Sequence, residues 1–252
     1  MEAPAALLWD VDGTLAETEL DGHRCAFNRA FRSAGLPWHW DRATYLDLLT
    51  ISGGRERISH FLTRVDGVPP SAERVAALQA SKQEHYSQLV AAGELQLRPG
   101  VDRLMAAAAA AGIPQVIVTT SGHQAVAALL TCLLPHRLPH LQRRICGDDV
   151  SRKKPNPEAY RLALEQLLLP PERVLAIEDS ANGVAAAHGA GVPVLVTRSA
   201  SSAGEPAAAF ASACAQVDHL GDPDRPCSVQ HGPACPGGQV TLSYLQRLLR
   251  GG

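Results

Sequence analysis

Short apolar runs that end abruptly on polar residues punctuate this 252-residue chain. Ala5 to Trp9 stops at Asp10, Val116 to Val118 at Thr119, Val174 to Ile177 at Glu178-Asp179, and Val194 to Val196 at Thr197. Arg144-Ile145-Cys146 is a shorter run of the same kind. With almost no polar alternation, each reads as a strand covered on both faces, the habit of a parallel sheet. Helical spacing fills the intervals. Val101, Leu104, Ala108 and Ala111 share a face that ends at Gly112, and Val126, Leu129, Leu130 and Leu133 share another. Asn156-Pro157 reads as a cap followed by Pro at the first helical position, ahead of the stripe Tyr160, Ala163, Leu164 and Leu167. Asn182 to Ala190 is an Ala-rich helix closed by Gly191. Strands alternating with helices predict an α/β fold, a Rossmann-like doubly wound parallel sheet.

One interval is too long for a single crossover. From about Glu17 to Gly93 the pattern is helical: Phe27, Ala30, Phe31 and Ala34 on one face, Ile58, Phe61, Leu62 and Val65 on a second, Val75, Leu78, Lys82 and His85 to Leu89 on a third. This predicts an inserted helical cap, residues 17–96, joined near Ala16 and near Leu97 to Pro99 to a core made of 1–16 and 97–252. Ser199 to Gly238 is rich in Ala, Ser, Gly and Pro and predicts loops with a short strand at Gln216-Val217. Val240 to Leu249 predicts a last amphipathic helix.

Composition narrows the function. Hydrophobic residues make 46% and charged residues 19%, so the chain is globular. A net charge of -2 excludes a broad electrostatic footprint for nucleic acid, and 4% aromatics argues against a base-stacking platform. No apolar run is long enough to span a bilayer, and Met1 to Trp9 is neither a secretory signal nor a transit peptide, so a cytoplasmic location is expected. The six cysteines contain no CxxC pair, which fits reduced thiols.

The candidate chemistry lies at the strand ends, where ligands bind in open α/β sheets. Asp10-Val11-Asp12-Gly13-Thr14 follows the first strand. An Asp-Gly pair is also a turn signal, but two carboxylates at i and i+2 behind a buried strand are costly unless used. Thr119 ends the second strand with a hydroxyl suited to a phosphate oxygen. Lys154 follows the third and can neutralise a phosphoryl group or a carboxylate. Glu178-Asp179 ends the fourth with oxygen ligands for a hard cation. Each has an ordinary reading alone; their joint placement does not.

These four segments resemble, in order, the motifs of the haloacid dehalogenase superfamily, in its subgroup with a helical cap after the first motif, which includes β-phosphoglucomutase. Asp10 to Glu19, His23 to Asn28, Gly53 to Ile58, Lys153 to Pro157 and Glu178 to Gly183 look most like the CbbY-type phosphatases, which act on xylulose 1,5-bisphosphate in carbon-fixing organisms. Trp9 stands where Phe is usual, the stretch before His23 is one residue longer, and the chain after Ser199 departs from the pattern. The resemblance implies a Mg²⁺-dependent sugar-phosphate phosphatase working through an aspartyl-phosphate. Asp10 would be the nucleophile, Asp12 the general acid and base, and Thr119, Thr120 and Lys154 the holders of the phosphoryl group. Mg²⁺ would be held by Asp10, Asp12, Glu178 and Asp179. A mutase of the β-phosphoglucomutase type and a non-catalytic phosphate-binding module are the rival readings.

For the cap, two readings stand for each candidate. Glu17 accepts from sugar hydroxyls or caps a helix. His23 binds substrate or gates closure, or lies on a helix face. Thr50, Gly53, Gly54 and Arg55 grip a second, non-reacting phosphate or simply start a helix. The expected partner is a small sugar phosphate; no nucleic acid, membrane or protein partner is implied.

Overall fold

The computed structural model describes residues 3–251. Among these, the strands form one seven-stranded sheet of order β3-β2-β1-β4-β5-β6-β7. The strands are β1 (Ala6–Trp9), β2 (Gln115–Val118), β3 (Leu141–Ile145), β4 (Val174–Glu178), β5 (Val194–Thr197), β6 (Ala215–Val217) and β7 (Val229–His231). All neighbours are parallel except β6 and β7. β1, β2, β4 and β5 are buried along their whole length, as continuous apolar runs require.

β3 corrects the reading of Arg144 to Cys146 as a doubly covered strand. It starts earlier, lies at the sheet edge and exposes Gln142, Arg143 and Arg144, and the two charged side chains blunt an open edge. The antiparallel β7 is an addition to the expected strands. Trp9 is accommodated by its neighbour strand: its indole Nε1 donates to Oε1 of the fully buried Gln115 at 3.1 Å, so the larger ring leaves no stranded donor.

Helices α5 (Val101–Ala110), α6 (His123–Leu133) and α9 (Leu242–Leu248) cover one face of the sheet, and α7 (Glu158–Leu167) and α8 (Ala181–Gly189) the other. α7 begins one position later than expected, with Pro157 at its N-cap and not its first helical residue, and the Asn156 side chain accepts from the Glu158 amide at 3.1 Å. Between β1 and β2 lie a π-helical turn (Glu19–His23) and α1 (Arg24–Ser33), α2 (Arg42–Leu48), α3 (Gly54–Asp66) and α4 (Ala72–Ala91). This insert has its own core of Phe27, Phe31, Trp40, Tyr45 and Ile58, with Phe27 and Trp40 rings 4.6 Å apart. Tyr86, Leu89 and Val90 of α4 instead join the sheet's core. No helix among the described residues is long and apolar enough to cross a membrane.

The two connections between insert and sheet lie side by side, Ala16 bridging Leu97 and the Arg98 amide donating to Leu15 O at 2.8 Å. The buried Arg98 guanidinium ties this crossing to the loops beyond β5 and β6. It donates to Gly13 O, to Thr197 O at 2.7 Å, Arg198 O at 2.7 Å and Asp218 O at 2.5 Å.

Candidate active site

Asp10, Asp12, Lys154, Glu178 and Asp179 converge beyond the carboxyl ends of β1 and β4 on the line between sheet and insert. Lys154 Nζ donates to Asp10 Oδ1 at 2.7 Å, Glu178 Oε1 at 2.6 Å and Val118 O at 2.8 Å, which uses all three of its hydrogens. The Tyr160 hydroxyl also donates to Glu178 Oε1. Ser199 Oγ donates to Asp179 Oδ2 at 2.5 Å. Gly13 has φ 87° and is pressed so close to Asp179 that a Cβ there would collide with the carboxylate.

One lysine faces three buried carboxylates. Burial and the neighbouring Glu178 push the Asp10 carboxyl up to about 7, against the pull of Lys154. Burial and Asp10 raise Asp179 well above the usual carboxylate range. Ligand oxygens of Asp10, Glu178 and Asp179 lie within 4.8 Å of one another, and Glu178 Oε2 is buried without a partner. An all-oxygen set with excess negative charge fits a hard divalent cation. The Asp12 carboxylate is not in this group.

Asp12 is turned toward the insert. Its Oδ1 accepts from Thr18 Oγ1 at 2.6 Å and lies 2.9 Å from His23 Nε2, while Oδ2 accepts from Ser121 Oγ at 2.5 Å. His23 Nδ1 lies 2.9 Å from Lys82 Nζ, and its ring stacks on Tyr86 with centroids 4.2 Å apart. An ammonium can only donate, so Nδ1 accepts and Nε2 carries the hydrogen toward Asp12. Burial alone would raise the Asp12 carboxyl. The electrostatic pull and hydrogen bond of the His23 N–H, with the hydrogen bonds of Ser121 and Thr18, outweigh it and hold the group below the usual range.

The cavity over Asp10 is also lined by Glu19, Ser52, Arg57, Thr120, Ser180, Asn182 and Ser202. Its extension toward the insert reaches His23, Gly53, Gly54 and Lys82. Arg57 Nε donates to Leu48 O at 3.1 Å, and its Nη1 donates to the Tyr45 hydroxyl at 3.0 Å and lies 3.9 Å from Glu19 Oε2. Three contacts cross the mouth from insert to core: Glu56 with Lys153 at 2.5 Å, Ser52 with Asn182 at 3.3 Å, and Arg42 with Ala200 O at 3.4 Å.

The structure places four of the expected residues as follows. Arg55 is exposed on the outer side of α3 beside Ser59 and His60, and Arg57 is the arginine that enters the cavity. Thr50 is exposed and spends its hydroxyl on Asp47 O at 2.8 Å. Glu17 pairs with Arg98 at 3.1 Å and borders a separate groove beneath the linker; Glu19 takes the place in the cavity. Thr119 lies behind the wall with Oγ1 accepting from the Ser121 amide at 3.1 Å, and Thr120 forms the wall itself. Of the residues that sequence reasoning did not single out for the site, Arg57 had a signal, since it stands at i and i+4 with Phe61 on the inward stripe. Lys82 had one too, a charge on an apolar face. Glu19 had none.

The family model described as haloacid dehalogenase-like hydrolase matches residues 4–191, which include every strand end just described up to Asp179. The chain belongs to the haloacid dehalogenase-like hydrolases. Within that family it is 46% identical over 193 residues to Protein CbbY of Cereibacter sphaeroides, covering 76% of this chain and 83% of that one. It is 43% identical over 248 residues to the plasmid CbbY protein of Cupriavidus necator, covering 96% and 95%. Among solved structures, a mutant CbbY from Rhodobacter sphaeroides in complex with xylulose-(1,5)bisphosphate superimposes with a TM-score of 0.80 at 42% identity, covering 86% of this chain and 95% of that one. The hydrolase motifs and the insert thus belong to a CbbY-type enzyme. The π-helical turn Glu19–His23 follows Thr18, and both Thr18 and His23 reach Asp12.

Proposed function

We propose that this hydrolase is a Mg²⁺-dependent phosphatase of xylulose 1,5-bisphosphate, with residues 17–96 acting as a cap over a core of 1–16 and 97–252. The observation that carries the reading is a cavity with a nucleophile at one end and cations at the other. Asp10, held by Lys154, lies on the sheet side, and Arg57 and Lys82 line the insert side. A substrate with one phosphate to cut and one to grip fits that polarity, and the complex of the Rhodobacter sphaeroides relative supports it.

Asp10 attacks phosphorus in line and forms an aspartyl-phosphate. Lys154 aims the attacking carboxylate and opposes the burial that favours its protonated form, and Thr120 hydrogen-bonds the phosphoryl oxygens. As substrate replaces its contacts with His23, Thr18 and Ser121, Asp12 loses what holds it ionised and takes up a proton from solvent; it gives that proton to the leaving sugar oxygen and then takes one from the water that cleaves the intermediate. Asp10, Glu178, Asp179 and the main-chain carbonyl of Asp12 would hold Mg²⁺, which neutralises charge on the transferring group. Water as the final acceptor makes the enzyme a phosphatase; phosphate release from xylulose 1,5-bisphosphate under steady-state conditions tests this, and transfer to a bound sugar with no net release would overturn it.

Arg57→Ala is expected to lower kcat/KM for the bisphosphate by roughly 2–4 kcal/mol, the scale of a truncated buried charge pair. Para-nitrophenyl phosphate, with no second phosphate, should be nearly unaffected. Equal losses on both substrates would restrict Arg57 to bracing Tyr45 and the carbonyls of Leu48 and Ile51.

Burial pushes the Lys82 ammonium down to about 8, so its charge is complete well below that pH and lost above it. We expect kcat/KM for the bisphosphate, which reports the free enzyme, to fall as pH rises through this value. Lys82→Met should remove the alkaline limb. A limb that persists unchanged assigns it to another group.

A further inference from the structure

We propose that His123, Cys146 and Asp149 form a second metal site, selective for a borderline transition-metal ion of the Zn²⁺ or Co²⁺ kind. The three residues come from two segments behind the catalytic wall. His123 opens α6, and Cys146 and Asp149 belong to the turn after β3. The segments are stitched together by the Gly147 amide, which donates to Ser121 O at 2.9 Å.

One nitrogen, one sulfur and one carboxylate oxygen converge to within 4.8 Å of each other. Hydrogen bonds around them set the geometry. The Cys146 amide donates to Asp149 Oδ2 at 2.8 Å, which turns Oδ1 toward His123 Nε2, 2.9 Å away. The His123 amide donates to Asp148 Oδ2 at 3.0 Å and so anchors the base of the ring. Outer hydrogen bonds of this kind orient the ligands in metal sites. Tetrahedral ligands about 2.0–2.3 Å from an ion stand somewhat farther apart than a hydrogen-bonded pair. His123 is half exposed and can swing out by that amount, whereas Cys146 is fully buried and stays in place.

The donor set decides the ion. Mg²⁺ takes oxygen ligands and suits Asp10, Glu178 and Asp179; imidazole with thiolate suits Zn²⁺ and its neighbours. Burial, with Asp149 and Asp148 close by, pushes the Cys146 thiol up to about 12, so it is protonated until an ion replaces the proton. On binding, the sulfur–hydrogen bond breaks, its proton goes to solvent, and a sulfur–metal bond forms. With neutral His123, the Nε2 hydrogen passes through solvent to Nδ1 and the freed lone pair binds the ion. The net release is one proton, with no change of oxidation state. Three protein ligands leave a fourth position for water. An ion there would tie the Thr119 to Gly122 loop to the turn that leads to Lys153 and Lys154.

The test is a Co²⁺ titration of the full chain with Mg²⁺ in excess. We expect a thiolate-to-cobalt charge-transfer band in the near ultraviolet, complete at one equivalent and abolished by Zn²⁺. Cys146→Ser should lack the band. His123→Ala, a change at the surface that leaves folding intact, should weaken Co²⁺ binding by at least about 10-fold while phosphatase activity in Mg²⁺ alone is unchanged. Absence of a thiolate band in the wild type, or a band that survives His123→Ala at full affinity, overturns the site; the latter would place the ion on another cysteine. The readout is spectroscopic, so it stands whether or not the bisphosphate is the substrate.

Discussion

Asp10→Asn is expected to fold, to bind the bisphosphate and not to turn it over. The amide keeps the volume and can still accept from Lys154, but it has no anionic oxygen to attack phosphorus. Loss of a covalent nucleophile lowers kcat on the order of 10⁴–10⁶-fold. Retention of more than a few per cent of wild-type kcat removes Asp10 from that role. The same variant reads out the electrostatics of the site. The Asp10 carboxyl is raised from an ordinary 3.8 to about 7 by burial and Glu178. A group with a raised pKa in the folded state contributes stability that is complete below its unfolded pKa and is lost as pH rises through the folded value. Without divalent cations, wild type should therefore lose thermal stability relative to Asp10→Asn as pH rises from 3.8 to about 7. A constant difference in Tm across that range would mean the charge at Asp10 is already compensated by Lys154.

Asp12→Ala is the second large effect, because one carboxyl serves both half-reactions. Loss of general acid–base catalysis costs roughly 10²–10⁴-fold with a sugar phosphate. Para-nitrophenolate leaves without a proton, so aspartyl-phosphate formation should suffer much less with that substrate. Single-turnover kinetics separates the two steps. Equal losses of the first step on both substrates would count against Asp12 as the acid. The position of Asp12 adds a second expectation: His23, Ser121 and Thr18 hold it below the usual carboxylate range, so Thr18→Val should lower kcat for the sugar phosphate more than it raises KM.

The strand ends are legible because two physical demands coincide there. A parallel strand covered on both faces must be apolar throughout, and the residue where it stops is where polar groups first meet solvent or ligand. Asp10, Lys154, Glu178 and Asp179 therefore stand out, and the structure brings all four together. The insert is legible as helix for a similar reason, since its stripes repeat at helical spacing. β3 misleads because an edge strand needs only one buried face. β7 escapes notice because the three residues from Val229 to His231 are too short a run to carry a readable periodicity.

What the sequence by itself determined is the order of elements and the set of groups at the sheet's carboxyl edge, because strand burial and strand termination are local properties of the chain. What only the tertiary structure decided is which side chains face them from the insert. Arg55 and Arg57 are two residues apart on one helix, a rotation of about 200° at 3.6 residues per turn. Only the packing of α3 on the aromatic core turns Arg57 inward and leaves Arg55 in solvent. Glu17 and Glu19 are separated in the same way, one drawn to Arg98 and the other to Tyr45 and Arg57. Such choices are made by partners distant in the chain, and the spacing of neighbouring residues holds no record of them.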